Sequence, residues 1–312
     1  MRGGPGGNRA RPPTPRTGAT GRWVTASALA VVMPVGPGEA PASVADTLDS
    51  VRTYLAPGTP VVVVNDSDRP AVHSLCAGRS DVEVVGVAGR GSGALGGLAY
   101  VVGTGLRVAR DRFDPDAVLR LDVDALVIGR GLEAQIGAAV AKDPTVGVFG
   151  SYRVDSRGRV RDFGPARSQL AQDLSWRSAV RHPRWARTVR VVFRRARAEG
   201  LESGEHPLGG AAVYTREALR RLSGARWLPP PAVGASVMGE DQLYAMAVRA
   251  VGLGIGDLAT GGLPMALAWR GLPDDPAALI AGGKLLVHSV ASFGGQDESA
   301  VRAQFRARRT AG

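Results

Sequence analysis

Short apolar runs and amphipathic stretches alternate through the first 130 residues. Ala28 to Val35 is apolar and valine-rich and ends at Gly36-Pro37-Gly38, which predicts a buried strand followed by a turn. Between Ser43 and Leu55, Val44, Leu48, Val51 and Leu55 recur at helical spacing, and Pro57-Gly58 stops the helix they predict. Pro60 to Val64 predicts a second strand, ending in the polar cluster Asn65-Asp66-Ser67-Asp68. Val82 to Val87 predicts a third, and the glycine-rich stretch Gly89 to Gly97 leads into a helix over about Leu98 to Arg110. In Val118 to Ile128, VLRLDVDALVI, a buried strand ends in two carboxylates, Asp122 and Asp124, and a second apolar run, Ala125 to Ile128, follows them directly. Strand and helix in alternation predict an α/β fold with a mostly parallel central sheet flanked by helices.

Beyond Gly129 the pattern predicts a helix over Leu132 to Ala141 and a strand over Val146 to Ser151. In the next segment Trp176, Val180, Trp185, Val189, Val192 and Phe193 recur among arginines, and Pro183 splits them into two short amphipathic helices. A Gly209-Gly210 turn, an apolar run, a helix over Arg216 to Leu222 and a proline-rich loop over Leu228 to Pro231 follow. Glu240-Asp241 opens a helix running to about Val251, and a last strand, Lys284 to Val290, contains His288.

Composition narrows the classes. A chain of 312 residues with 44% hydrophobic content can bury a large core. No window approaches a membrane span. The single cysteine, Cys76, excludes an internal disulfide, and a cytoplasmic location is expected. The net charge of +11 is unevenly placed: residues 1–22 carry +5, residues 151–200 carry +9, and the remainder is slightly acidic. Basicity is thus confined to a leader, expected to be disordered, and one segment, so the body of the chain is not a nucleic-acid-binding surface.

Candidate chemistry centres on the carboxylates. Two of them at the end of a buried strand call for a cation, and a divalent metal carrying phosphate oxygens suits the mouth of an α/β sheet. Two solvated aspartates capping a strand end account for the spacing equally well. In a parallel sheet the strands' carboxyl ends share one edge, so Asp66 and the aspartate pair are expected to face one crevice, with the glycine-rich loop placed to bind phosphate. Acidic residues such as Glu240 and Asp241 also suit a helix N-terminus without any catalysis. His288 fits either a core position or a metal ligand. His73, His182 and His206 read as surface or loop residues.

Five stretches in order, AVVMPVGPGE, VVVVNDSD, LRLDVDALV, GGAAVYTREAL and GEDQLYAMAVRAVG, resemble motifs of the GT-A glycosyltransferases, within them the inverting family 2. The resemblance runs from about Ala28 to Val290. It implies a GT-A fold and transfer of a sugar from a UDP- or GDP-sugar to a hydroxyl on a small molecule, glycan or lipid-linked acceptor. It assigns Pro34, Val35, Glu39, Asp66 and Gly93 to the nucleotide sugar, Asp122 to the ribose, sugar or metal, and Asp124 with His288 to Mn²⁺ or Mg²⁺. Asp241, with Glu240 beside it, is implied as the base that deprotonates the acceptor. The implied organisation is a basic leader (1–25), one catalytic domain (26–295) and a basic tail (296–312). Within the domain, 26–130 forms the nucleotide half, 151–200 an arginine-rich insertion or lid, and 205–295 the acceptor half.

Three alternatives stay open. Gly91, Gly93 and Gly96 spell the dinucleotide-binding GxGxxG of a Rossmann oxidoreductase, although two strands precede it and the DVD pair follows it. A nucleotidyltransferase would use a similar sheet and metal, but Gly36 to Ser43 lacks the basic residues that hold a triphosphate. Arginines interleaved with Trp and Phe in 151–200 also suit contact with an acidic partner or the inner membrane face.

Overall fold

A computed structural model describes residues 28–87 and 95–311. The leader, Gly91 and Gly93 lie outside the described residues. The strands are β1 (Leu29–Val35), β2 (Val61–Asp66), β3 (Val82–Val87), β4 (Ala117–Leu121), β5 (Ala125–Val127), β6 (Val146–Gly150), β7 (Ala211–Thr215), β8 (Gly254–Asp257), β9 (Met265–Leu267), β10 (Leu286–His288), β11 (Ser292–Phe293) and β12 (Gln296–Asp297). The helices are α1 (Pro41–Tyr54), α2 (Pro70–Cys76), α3 (Leu95–Phe113), α4 (Leu132–Lys142), α5 (Gly164–Leu174), α6 (Trp176–Arg181), α7 (Pro183–Ala198), α8 (Arg216–Gly224), α9 (Glu240–Ala250), α10 (Pro276–Ala281) and α11 (Glu298–Ala311).

Seven strands form the central sheet in the order β3-β2-β1-β4-β7-β6-β8. β1 pairs in parallel with β2 and β4, and β7 alone runs antiparallel to its neighbours. The α/β class and the mostly parallel sheet flanked by helices expected from the sequence are therefore present. Side-chain alternation divides β1 between two cores: Ala30 and Val32 pack with α3, α7 and α9, while Val31, Met33 and Val35 pack with α1, α2 and α4. Because both faces are covered, every residue of β1 is buried, which accounts for its continuous apolar run.

The aspartate pair stands at the end of its strand, as expected, and what the pattern left open is where the second apolar run goes. β4 ends at Leu121, the chain turns through Asp122 to Asp124, and β5 joins a second small sheet beside β10. Two buried apolar runs are thus shared between two sheets, and the aspartates occupy the joint. α2 and α5, seven and eleven residues long, had no strong apolar stripe to announce them.

The basic stretch expected as a tail contains α11, which packs onto the body of the fold through Val301 and Phe305. Arg302 is buried there: it donates to Asp46 (2.9 Å) and to the carbonyl of Val123, the middle residue of DVD (2.7 Å). Thr47 of α1 donates to the same carbonyl at 2.5 Å. Burial raises the Asp46 pKa, but the bond from Arg302 and the charges of Arg309 and Arg302 outweigh it and hold the carboxyl below its usual value. Asp46→Asn is expected to lower stability by about 3 to 5 kcal/mol, because it leaves the buried Arg309 guanidinium without a carboxylate and Arg302 with Glu298 alone. A lowered pKa contributes stability above the free carboxyl's pKa of about 4 and loses it as the pH falls below. Urea titrations at neutral and acid pH check both parts, and equal midpoints for wild type and variant at neutral pH would contradict them.

Candidate active site

Two cavities meet at the DVD turn. The smaller, about 290 Å³, is lined by Pro34, Val35, Glu39, Asp66, Leu98 and Asp122 to Asp124. The larger, about 490 Å³, is lined by Asp122, Asp124, Arg161, His206, Asp241 and His288 among others, with Trp269 on its rim. Leu98, Asp122 and Asp124 belong to both. A third cavity of about 440 Å³ opens at the amino ends of β1 and β4, away from these carboxylates.

The smaller cavity sits at the carboxyl ends of β1 and β2. β1 runs into the Gly36-Pro37 turn, which Arg69 fixes by donating to the carbonyls of Gly36 (3.0 Å) and Glu39 (2.9 Å). Asp66, the last residue of β2, is buried. Burial raises the Glu39 pKa, and the charges of Asp124 and Asp122 raise it further.

At the joint, the carboxylates of Asp122 and Asp124 and the His288 imidazole present ligand atoms within 4.8 Å of one another. β10 pairs His288 with Ala125, directly after the turn, so strand register brings the histidine to the aspartates. His288 Nε2 lies 3.2 Å from Asp124 Oδ1, and Ser289 donates to Asp124 Oδ2 at 2.5 Å. Although burial opposes it, these bonds pull the Asp124 pKa down to about 2. His288 is raised: burial works against its charge, and the bond to Asp124 prevails. One imidazole nitrogen with two carboxylates is a donor set that suits Mn²⁺, and carboxylates alone also accept Mg²⁺. The His288 Nδ1 is buried without a partner among the described residues.

Across the larger cavity, Glu240 and Asp241 begin α9. Their side chains diverge. Glu240 is buried and pairs with Arg120 (2.6 Å), whose Nη2 also reaches Asp122 at 2.8 Å. Alternation along β4 puts Arg120 on the face of Val118, against the helices, opposite Ala212 of β7. Burial pushes the Glu240 pKa up to about 7, Arg120 resists, and Asp241 and Asp122 add to the rise. Asp241 instead faces the cavity and accepts the Gly209 N–H at 3.0 Å.

The Gly209-Gly210 turn touches both sides. The Gly210 carbonyl accepts from the Asp122 N–H at 2.8 Å, and a Cβ on Gly210 would stand 2.4 Å from the His288 ring. Its φ of +94° adds a second reason for glycine there.

His206, read from the sequence as a surface or loop residue, lies against the site. Its Nδ1 donates to the Gly204 carbonyl (2.7 Å), its ring edge meets Phe163, and its Nε2 lies 3.6 Å from Asp241 Oδ2. Arg161 donates from Nη1 to the carbonyls of Ser151, Tyr152 and His206 and from Nη2 to the His206 ring. Burial lowers the Arg161 pKa to about 10. Gly96, from the GxGxxG pattern, lies in α3, where a Cβ would meet the Val233 carbonyl at 2.0 Å. Helix packing therefore accounts for that glycine.

No family model and no curated protein sequence matches the chain. Among solved structures it is similar to a mannosyltransferase from Pyrobaculum calidifontis in complex with GDP-Man and Mn²⁺, at 20% identity over 74% of this chain and 54% of that one (TM-score 0.44). The chain spans about half of that protein's length. It is also similar to the galactosyltransferase LgtC in complex with donor and acceptor sugar analogues, at 12% identity over 90% of this chain and 95% of that one (TM-score 0.46). A third is S. aureus TarS in complex with UDP-GlcNAc, at 15% identity over 74% of this chain and 56% of that one (TM-score 0.42). The first two are glycosyltransferases by name, and the third holds a nucleotide sugar.

Proposed function

We propose that the chain is a metal-dependent inverting glycosyltransferase that moves a sugar from a nucleotide-diphosphate sugar to a hydroxyl-bearing acceptor. The observation that carries this reading is the pair of cavities joined at Asp122 and Asp124, one bounded by Asp66 and the other by Asp241. Asp66, Pro34, Val35 and Glu39 bind the nucleotide in the smaller cavity. Asp124 and His288, with Asp122, would hold Mn²⁺ or Mg²⁺, which when bound neutralises charge on the leaving diphosphate.

The acceptor occupies the larger cavity, where Asp241 takes the proton from its hydroxyl. As the acceptor oxygen bonds to the anomeric carbon, the bond to the diphosphate oxygen breaks, and attack from the side opposite the leaving group inverts the configuration. The Gly209 N–H orients the Asp241 carboxylate. Glu240 and Arg120 lie beneath the reacting groups and tie the donor side to the acceptor side.

The test follows nucleotide release from a panel of UDP-, GDP- and dTDP-sugars with Mn²⁺, using Asp124→Ala and Asp241→Asn as controls. Asp124→Ala is expected to abolish metal-stimulated release. Unchanged release in both variants refutes the mechanism, and retention at the anomeric centre of the product, read by NMR, refutes inversion.

A further inference from the structure

The arginine-rich region enters the proposed chemistry only through Arg161 and the start of α5. α7 is anchored: Trp185, Val189 and Val192 are buried, and the Trp185 indole donates to Asp173 at 2.9 Å. α6 buries none of its six residues. Trp176 and Val180, one turn apart on it, are 71% and 72% exposed, with the Arg177 guanidinium over the Trp176 ring. From 174 to 198 the sequence has eight arginines and no acidic residue. Arg190 turns inward to the carbonyls of Leu174 and Ser175. Arg177, Arg181, Arg184, Arg187, Arg194 and Arg195 are exposed, and none forms an ion pair among the described residues.

We propose that α6 and the outer face of α7 dock the protein on an anionic lipid bilayer. Unopposed guanidinium groups complement a layer of lipid phosphates, and a tryptophan suits the headgroup level with its ring amid the acyl boundary. Val180 decides between partners: an exposed aliphatic side chain has no use against a phosphate backbone but partitions into a bilayer. The docking proposed is a peripheral one, and no described helix is long and apolar enough to cross a membrane. α5 carries Pro165, Ala166 and Gln169 on the wall of the larger cavity and ends next to α6. An eleven-residue helix is about 16 Å long, which keeps the bilayer within reach of an acceptor carried on a lipid. That last step rests on the function proposed above; the docking does not.

The experiment is co-sedimentation of the full chain with vesicles of phosphatidylcholine alone or mixed with phosphatidylglycerol. Binding to the anionic vesicles alone, weakened by salt, is expected. Trp176→Ser with Val180→Ser, which leaves every charge in place, is expected to weaken binding about tenfold or more. Arg177→Gln, Arg181→Gln and Arg184→Gln are expected to cost about fivefold each. Circular dichroism and melting temperature should not move, since these side chains are exposed. Quenching of tryptophan fluorescence by brominated lipid should be present in wild type and reduced in Trp176→Phe. Absence of vesicle binding, or equal binding by all variants, overturns the proposal. RNA binding lost in the arginine variants, without vesicle binding, also overturns it and assigns the surface to nucleic acid. Sugar transfer is not part of these readouts, so failure here leaves the proposed function standing, and the reverse.

Discussion

Asp241→Asn is expected to lower the rate of sugar transfer by a factor of about 10² to 10⁴, with donor affinity unchanged. The asparagine keeps the size of the side chain and an oxygen to accept the Gly209 N–H, which the carboxylate takes at 3.0 Å. What it removes is the capacity to take a proton from a hydroxyl in the larger cavity. Asp241 does not line the smaller cavity, so nucleotide should raise the melting temperature of wild type and variant alike. Steady-state kinetics and thermal shift together read this out. A variant with wild-type kcat would remove Asp241 from the chemistry, and one that also lost nucleotide binding would show the residue to be structural.

Arg120→Met is expected to destabilise the fold by about 3 to 5 kcal/mol, since removing one partner strands two carboxylates. Both depend on the same nitrogen, at 2.6 Å from Glu240 and 2.8 Å from Asp122. With the guanidinium gone, only a backbone N–H bond opposes the burial and the repulsion from Asp241 and Asp122 that already push Glu240 up to about 7. Glu240 should then be protonated at neutral pH, and adding Glu240→Gln should recover part of the loss. Urea titration of the single and double variants forms the test, because a merely space-filling arginine would show no coupling between them.

The sequence carried the frame of this site and less of its interior. β3, bounded by turn residues, and the helix opened by Glu240-Asp241 were legible from local pattern because neighbours along the chain set them. The joint at Asp122 to Asp124 was not: an apolar run looks the same whether it crosses one sheet or passes from one to another. α11 read as tail because its arginines dominate its composition, and its anchoring depends on Asp46, more than 250 residues away. Arg120 did leave a signal, as the one charged residue within an otherwise apolar strand. A buried strand does not keep a charge without a partner. His206 left none, since its placement depends on Arg161 and Phe163, loop residues whose approach has no periodicity.

In the proposed reaction the two glycines at 209 and 210 act as a fixed gauge between donor and acceptor. One backbone unit sets the Asp241 carboxylate, and the next seats Asp122 and the His288 ring. The reach from base to carboxylate pair is therefore one peptide long, with no side chain to flex. Acceptors of different bulk cannot be accommodated by moving the base away from the donor. In that reaction, room for them comes from other parts of the larger cavity's lining, which includes Gln169 and the exposed ring of Trp269. Under the proposed mechanism, acceptor preference can thus diverge through such side chains while the reacting geometry stays constant.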